Sequence, residues 1–441
     1  MAETLNNILR RHVAHDATTK DKLLGAAFIV VNKDGVLYEG AAGRTRQPVD
    51  SPPFQTDSVT YMASMTKMIT AACAMQLVDR GRIGLDDDVR PLVPELAGLQ
   101  ILTGFTDGDG DDSDSDGDGD GGRPILQDNP RPITLHHLLT HTSGLAYAAV
   151  DPDLQRWARS VPPPPPQSPP AAAVPLDSLL CTLESWTAPL KFAPGDGWCY
   201  GTSLDWAGQV VERAAGCALG AYARANVFAP LGMARTGFRL GEVLGEAGAG
   251  GGDGGGDRRF RYVPGSVRNP ETGELADGRP PIVDDPPVES GGAGLYGCAA
   301  DYARFVQGLL RALAGEGDGM VSKRAAEEMF TPQLDERQRE GLGEIVVAVG
   351  MAPEFPAGTP MDHGISGVMN TEDVAGKRRK GSMMWAGQCN ARWWIDPQTG
   401  IGATLFLNVL PYGDAVVTKL YHELELAVYA ELVPKGTGVS A

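Results

Sequence analysis

The strand patterns of this chain sit near its two ends, and that separation limits the folds open to it. Residues 25–43, GAAFIVVNKDGVLYEGAAG, read as two strands around an Asn-Lys-Asp-Gly turn. Residues 393–410, WWIDPQTGIGATLFLNVL, read as a second hairpin with Asp-Pro-Gln-Thr-Gly as its turn. A last segment, about 413–432, carries Val416, Leu420, Leu424 and Ala427 at helical spacing, and the opening MAETLNNILRRHVAHD reads as an amphipathic helix. The patterns between the ends are mainly helical. Such a chain builds one antiparallel sheet from both ends, with the terminal helices packed on it. The expected fold is α/β, or α+β in stricter terms. A discontinuous sheet domain would span 1–85 and 291–441, with an inserted all-helical lobe over 86–290.

Three segments interrupt these patterns. DGDGDDSDSDGDGDGG (107–122) is acidic and of low complexity, VPPPPPQSPPAAAVP (161–175) favours extended polyproline II, and GEAGAGGGDGGGD (245–257) reads as a flexible glycine loop. Each lies between periodic segments and reads as a surface insertion. From Asp112 the first gives D-x-D-x-D-G, yet the twelfth position is Arg123 where a calcium loop needs glutamate. A solvated loop is the reading that fits. The formal net charge of −18 argues against a nucleic-acid partner. Eight aspartates of the 107–120 stretch account for part of it and leave about −10 elsewhere, an ordinary acidic surface.

No run approaches 18 apolar residues, and the first residues carry neither an apolar h-region nor a small-residue cleavage site. No membrane contact and a cytoplasmic location are therefore expected. The six cysteines are scattered without a C-x-x-C pair, as in reduced, mostly buried thiols.

The chemistry gathers around YMASMTKMIT (61–70). Ser64 and Lys67 are three apart at the start of an apolar helical run, so they share one helix face. A hydroxyl is a weak nucleophile until a base removes its proton, and a neutral lysine is able to do so. A helix N-terminus also offers backbone N–H groups to a developing oxyanion. On its own the pair is a weak signal. A capping serine before methionines and alanines looks much the same.

Its company separates the two readings. FAPGDGWCYGTSLDWAG (192–208) places Tyr200 after a Pro-Gly turn and before another helix. GSMMWAGQCNARWWID (381–396) places Trp385, Ala386 and Gly387 in a strand beside the C-terminal hairpin, and ITLHHLLTHTSGL (133–145) is a short apolar helix closing on Ser143-Gly144. With PLGMARTGF (230–238) and GGAGLYGCAADYARFVQGLL (291–310), these motifs resemble the serine β-lactamase-like superfamily. That superfamily includes class C β-lactamases, D-alanyl-D-alanine peptidases, family VIII carboxylesterases and fungal side-chain transesterases. The resemblance runs over about 5–430 apart from the three loops.

The resemblance implies roles. Ser64 would be the acylated nucleophile, Lys67 its proton partner, and Tyr200 the tyrosine that shares the proton traffic and protonates the leaving group. Trp385, Ala386, Gly387 and Gln388 would line the pocket. The N–H of Ser64, with that of Gly387 or Gln388, would form the oxyanion hole. No metal or organic cofactor is implied.

Two departures bear on the substrate. The tyrosine motif usually reads Tyr-x-Asn and here reads Tyr200-Gly201-Thr202. The third motif has a lysine in β-lactamases and peptidases, and here the position is Trp385. A neutral indole does not pair with a substrate carboxylate as an ammonium does. Neutral esters or thioesters are the expected substrate class. The local wording is nearest to fungal side-chain transesterases of the lovastatin acyltransferase kind. That implies a small-molecule acyl donor, with an acyl carrier protein as one candidate source, and an alcohol acceptor. A carboxylesterase stays close behind, and a catalytically idle binding protein is the outsider.

Other candidates recede. His137 and His141 in HLLTH share a helix face, but the sequence is not H-E-x-x-H, so they read as structural histidines. His363 in MDHGISG is a candidate for the pocket lining, with a loop histidine the plainer reading, and Cys389 borders the Trp385 motif but reads as a buried bystander. No G-x-S-x-G elbow occurs. Trp393 and Trp394 face opposite sides of a strand, one expected in the core and the other at the substrate wall. KRRK (377–380) is the one candidate basic patch for an acidic carrier, although a solvated charge run is the plainer reading.

Overall fold

The computed structural model describes residues 2–106, 122–161, 177–245, 262–316, 320–348 and 350–431. The three low-complexity loops, and with them the calcium-loop reading, fall apart from their edges outside the described residues. Seven strands form the main sheet. They are β1 (Gly25–Asn32), β2 (Gly35–Gly43), β3 (Met361–Gly364), β4 (Gly367–Asn370), β5 (Met383–Ala386), β6 (Arg392–Asp396) and β7 (Ile401–Phe406). Their spatial order is β2-β1-β7-β6-β5-β4-β3, antiparallel throughout. The two ends of the chain therefore meet in the middle of the sheet, where Ala27 lies opposite Phe406 and Val30 opposite Ala403.

Both faces of the sheet are covered, which explains why β1, β6 and β7 are buried almost without alternation. Helices α1 (Ala2–His12) and α7 (Ala415–Glu431) pack together on one face. There Trp394 meets Phe28 and Tyr421 at ring-centroid distances of 5.9 and 5.5 Å. Helix α5 (Ala299–Ala314) covers the other face, with Tyr302 against Phe406 and Val306 filling the space beside Gly402, and α6 (Lys323–Met329) packs against α5. Trp393 and Trp394 do point to opposite faces, but both are wholly buried. Trp393 lies opposite Trp385 on one face of the sheet, whereas Trp394 packs under α7.

The middle of the chain supplies α2 (Thr66–Asp79), α3 (Leu135–Thr140) and α4 (Ser203–Ala215). Helix α2 is buried on every side from Thr66 to Leu77, a central helix and not an amphipathic surface one. It packs against α4, which packs against α3.

The stretch 86–290 is not all helix. Gln100–Phe105 pairs with Pro124–Asp128 on either side of the aspartate-rich segment, and Ser266–Arg268 pairs with Leu275–Asp277. The second hairpin is dictated by its turn: Asn269 Oδ1 accepts from the N–H groups of Glu271 and Thr272, and Gly273 takes a φ of 75°. It also pairs in parallel with Val409–Leu410, so it leans on the sheet end of the molecule.

Candidate active site

Ser64 stands where α2 begins. Ala63–Met65 form one 3-10 turn that runs directly into α2. Ala63 has a φ of 47°, in the left-handed region that a side-chain-bearing residue adopts only at a cost of roughly 1–3 kcal/mol. Thr66 Oγ1 closes the turn by donating to the Ala63 carbonyl over 2.6 Å. The sharp turn brings Ser64 out of the chain path beside α2.

Lys67 lies one helical step on, almost wholly buried. Its Nζ donates to Ser64 Oγ over 3.1 Å, to Tyr147 Oη over 3.0 Å and to the Gly292 carbonyl over 2.8 Å. Three donated bonds are those of the protonated amine; the neutral amine has two hydrogens and turns its lone pair to the Ser64 hydroxyl. Tyr200 Oη donates to Ser64 Oγ over 2.7 Å, while Lys67 Nζ sits 4.7 Å from the Tyr200 ring centroid. Ser64 Oγ thus touches the two groups that the sequence pairs with it.

Tyr200 comes from the loop before α4. Gly201 is required there, because a Cβ would lie 2.1 Å from the Leu145 carbonyl. That close approach sets the 145–147 segment against the tyrosine loop, and the Tyr147 N–H donates to the Tyr200 carbonyl over 3.3 Å. Thr202 turns away from the site and donates to the Trp186 carbonyl over 3.2 Å.

Aromatic rings wall the site. Trp385 on β5 lies 5.2 Å from the Tyr200 ring and 5.9 Å from His363. His141 meets Tyr200 edge-on at 5.0 Å and His363 at 5.8 Å, and Trp198 stacks parallel to Tyr200 at 6.4 Å. Burial, reinforced by His363 and Lys67, drives the His141 imidazole well below its ordinary range. Burial also lowers His363 to about 3. Both rings stay neutral at any working pH. His363 Nδ1 bonds its neighbour Gly364 carbonyl at 2.6 Å, which fixes the proton on Nδ1.

Two histidine expectations need correction. His363 is on strand β3, packed into this wall, and not on a loop. The HLLTH pair divides its duties. His137 and Thr134 exchange the two bonds of a capping box at the start of α3, whereas His141 ends α3 in a left-handed conformation, φ 61°, and faces Tyr200.

The turn after β5 runs beneath Ser64. Gly387 approaches the Met62 carbonyl so closely that a Cβ would lie 2.4 Å from it. Its N–H donates to the Ala391 carbonyl over 2.7 Å. Trp385 and Ala386 are buried in the strand, and Gln388 is exposed at the turn. Cys389 is buried, and burial pushes its thiol up to about 12, so it stays protonated and inert.

This constellation can be set against known proteins. The sequence profile of the family described as Beta-lactamase matches residues 5–427. The chain belongs to that family. A monacolin J acid methylbutanoyltransferase of Aspergillus terreus is 31% identical over 392 residues, covering 86% of this chain and 84% of the relative. A lovastatin esterase of Penicillium rubens is likewise 31% identical, over 427 residues, covering 92% and 94%. The solved structure of simvastatin synthase from Aspergillus terreus, unliganded, superposes with a TM-score of 0.81 at 27% identity, covering 98% of both chains. The enzyme class is that of the serine β-lactamase-like acyltransferases and esterases, and the fold is theirs.

For a β-lactamase family member, the residues that sequence reasoning missed are Tyr147 and His141. Tyr147 holds Lys67 beside Tyr200, with the two phenol rings 5.2 Å apart. Burial pushes its phenol well above the ordinary range, so it stays neutral. The only local sign of it is a tyrosine shortly after Ser143-Gly144, which has no spacing to Ser64 that a motif could carry. Among the described residues no cluster of three or more His, Cys, Asp or Glu is placed to hold a metal ion, and no helix is long and apolar enough to cross a membrane.

Proposed function

We propose that this enzyme moves a small acyl group from a thioester or ester donor to an alcohol through an acyl-Ser64 intermediate. The observation that carries the reading is the position of Ser64 Oγ, within hydrogen-bond reach of both Lys67 Nζ and Tyr200 Oη. Lys67 takes the Ser64 proton as the oxygen attacks the acyl carbon. Tyr200 passes a proton to the departing thiol or alcohol, and the same groups act in reverse when the acceptor alcohol arrives. The N–H groups of Ser64 and Gln388 hold the oxyanion, since the Gly387 N–H is already engaged by Ala391.

The neutral wall supports an uncharged acyl group. Trp385, the two uncharged histidines and Trp198 offer no cation to a substrate carboxylate. The donor thioester is carried on a small thiol or on an acyl carrier protein. KRRK does not serve as the carrier's landing patch, because Lys377 and Arg378 are buried. A cytoplasmic setting is supported by the six cysteines, all free.

Hydrolysis of short esters is the second reading, favoured by the esterase relative of equal identity. An idle binding protein is disfavoured by the hydrogen-bonded Ser64, Lys67 and Tyr200. Intact-protein mass after mixing with a short acyl thioester separates these readings. Wild type should gain the acyl mass and Ser64→Ala should not. Release of the adduct by added alcohol, faster than by water, marks the transferase. Equal release by both marks the esterase. No adduct on either protein removes the acyl-enzyme reading.

A further inference from the structure

A lysine as deeply buried as Lys67 needs a counter-charge to hold the proton that it takes from Ser64, and neither Tyr200 nor Tyr147 carries one. The turn Ser290-Gly291-Gly292-Ala293-Gly294 brings that question to α4. The Gly292 carbonyl accepts from Lys67 Nζ over 2.8 Å, and the Gly291 carbonyl accepts from Thr70 Oγ1 over 2.8 Å. On its other side the turn is held by Asp205, in the first turn of α4. Asp205 Oδ1 accepts from Ser290 Oγ over 2.5 Å and from the Gly292 N–H over 3.0 Å. Ser290 Oγ in turn accepts from the Ala293 N–H over 2.9 Å. A Cβ on Gly292 would lie 2.4 Å from Asp205 Oδ2, so only glycine lets the carboxylate come this close to the residue that holds Lys67.

We propose that Asp205 is a positioning residue for acylation, a buried counter-charge that fixes Gly292 against Lys67 and favours proton transfer from Ser64 to Lys67. The inference rests on the acyl-Ser64 reading. It adds a carboxylate to the serine, lysine and tyrosine set. In the step concerned, the Ser64 O–H bond breaks, an N–H bond forms on Lys67, and Ser64 Oγ bonds to the acyl carbon as the carbonyl π pair moves to its oxygen; that pair returns when the donor's C–S or C–O bond breaks and Tyr200 protonates the leaving group. Asp205 does not exchange a proton; its charge stabilises the ammonium that results.

The titratable neighbours of Asp205 are Lys67 on α2, Tyr61, Tyr147 and Cys181. Burial pushes both phenols and the thiol upward, so they remain neutral beside it. Burial holds the Asp205 carboxyl above its ordinary range, and the Lys67 charge, Ser290 and Gly292 pull it only part of the way back. Lys67, once it has taken the proton, is thus the opposite charge that acts on Asp205.

The test compares Asp205→Asn with Ser290→Ala. Asparagine keeps an acceptor for Ser290 and Gly292 and removes only the charge. Without that charge the proton-accepting set surrenders its proton more readily. The acid limb of the acylation rate, read by adduct formation against pH, should move about one unit lower, with a maximal rate about tenfold slower or more. Ser290→Ala keeps the charge and loosens the clamp, so its rate should fall while the limb stays at the wild-type pH. An Asp205→Asn profile that superposes on wild type, or is only scaled down, overturns the inference. So does an Asp205→Asn protein that fails to fold where Ser290→Ala folds, since the carboxylate then serves only to hold the lobe. Either result leaves the acyl-enzyme reading standing, because that reading falls only if wild type forms no adduct on Ser64.

Discussion

Two buried polar regions share the sheet and solve opposite problems. At the Ser64 cleft, Lys67 is surrounded by hydroxyls, a carbonyl, aromatic rings and two uncharged histidines. Under α7, by contrast, charges are packed together. Arg392 Nη1 donates to Glu354 Oε2 over 2.9 Å, Arg378 Nε to Glu425 Oε1 over 2.6 Å, and Lys377 Nζ lies 3.1 Å from Glu425 Oε2. The Arg378 guanidinium also lies over Phe355 at 4.8 Å and Trp394 at 5.4 Å. Burial alone would raise the Glu425 carboxyl, but Arg378 and Lys377 outweigh it and hold the group below its ordinary range.

Dense pairing makes the ionic cluster rigid, and it ties the 351–355 segment and α7 to β6. Sparse pairing leaves the cleft with groups whose protons can move. A closed cluster specifies structure, whereas an incompletely compensated site does chemistry.

That contrast can be broken at either end. The largest expected effect is in the cleft: Tyr200→Phe should lower acyl transfer about 10²–10⁴-fold while the melting temperature stays near wild type, checked by turnover beside thermal unfolding. In the ionic cluster the signs reverse. Glu354→Ala strands Arg392 and should cost about 3–5 kcal/mol of stability in denaturant titration, with the activity of the folded fraction kept.

The neutral wall gives a pH test. His363 is lowered to about 3 when folded and titrates near 6.5 when unfolded, so the unfolded chain binds the extra proton between those values. Stability from this residue is complete above pH 6.5 and is lost as pH falls towards 3, amounting to roughly 3 kcal/mol by pH 4. His363→Phe should flatten that part of the stability curve. A curve as steep as wild type would show that carboxylates elsewhere carry the effect. Smallest of all, Lys380→Glu, at the exposed end of KRRK, should change stability and turnover by no more than about 0.5 kcal/mol.

The last comparison also explains what the sequence could tell. Ser64 with Lys67 was legible because three positions on a helix fix a shared face, and Tyr200 and Trp385 were legible through the wording around them. The sheet could be read from two hairpins, each with its own turn. KRRK misled because a charge run reads as solvated. The partners that bury it, Glu354 and Glu425, lie on a distant loop and on α7, and no local pattern announces them. Tyr147, His141 and Asp205 were missed for the same reason. Each reaches the site from a different segment, and only the folded chain brings them together. The strand pairs inside 86–290 went unseen because runs of three to six residues carry too little periodicity.

The pairing of Ala27 with Phe406 has a consequence for how such a chain is made. Strand β1 leaves the ribosome early, with β2 on one edge and nothing on the other until nearly the whole chain has followed. For that interval an apolar strand waits with open backbone groups, the situation that invites aggregation. Closing the sheet is also a contact of very long sequence separation, which makes folding slow for a given stability. A chain cut short before Ile401 would lack the strand that fills this gap, so translation arrest near the end should yield insoluble product and not a weakened enzyme.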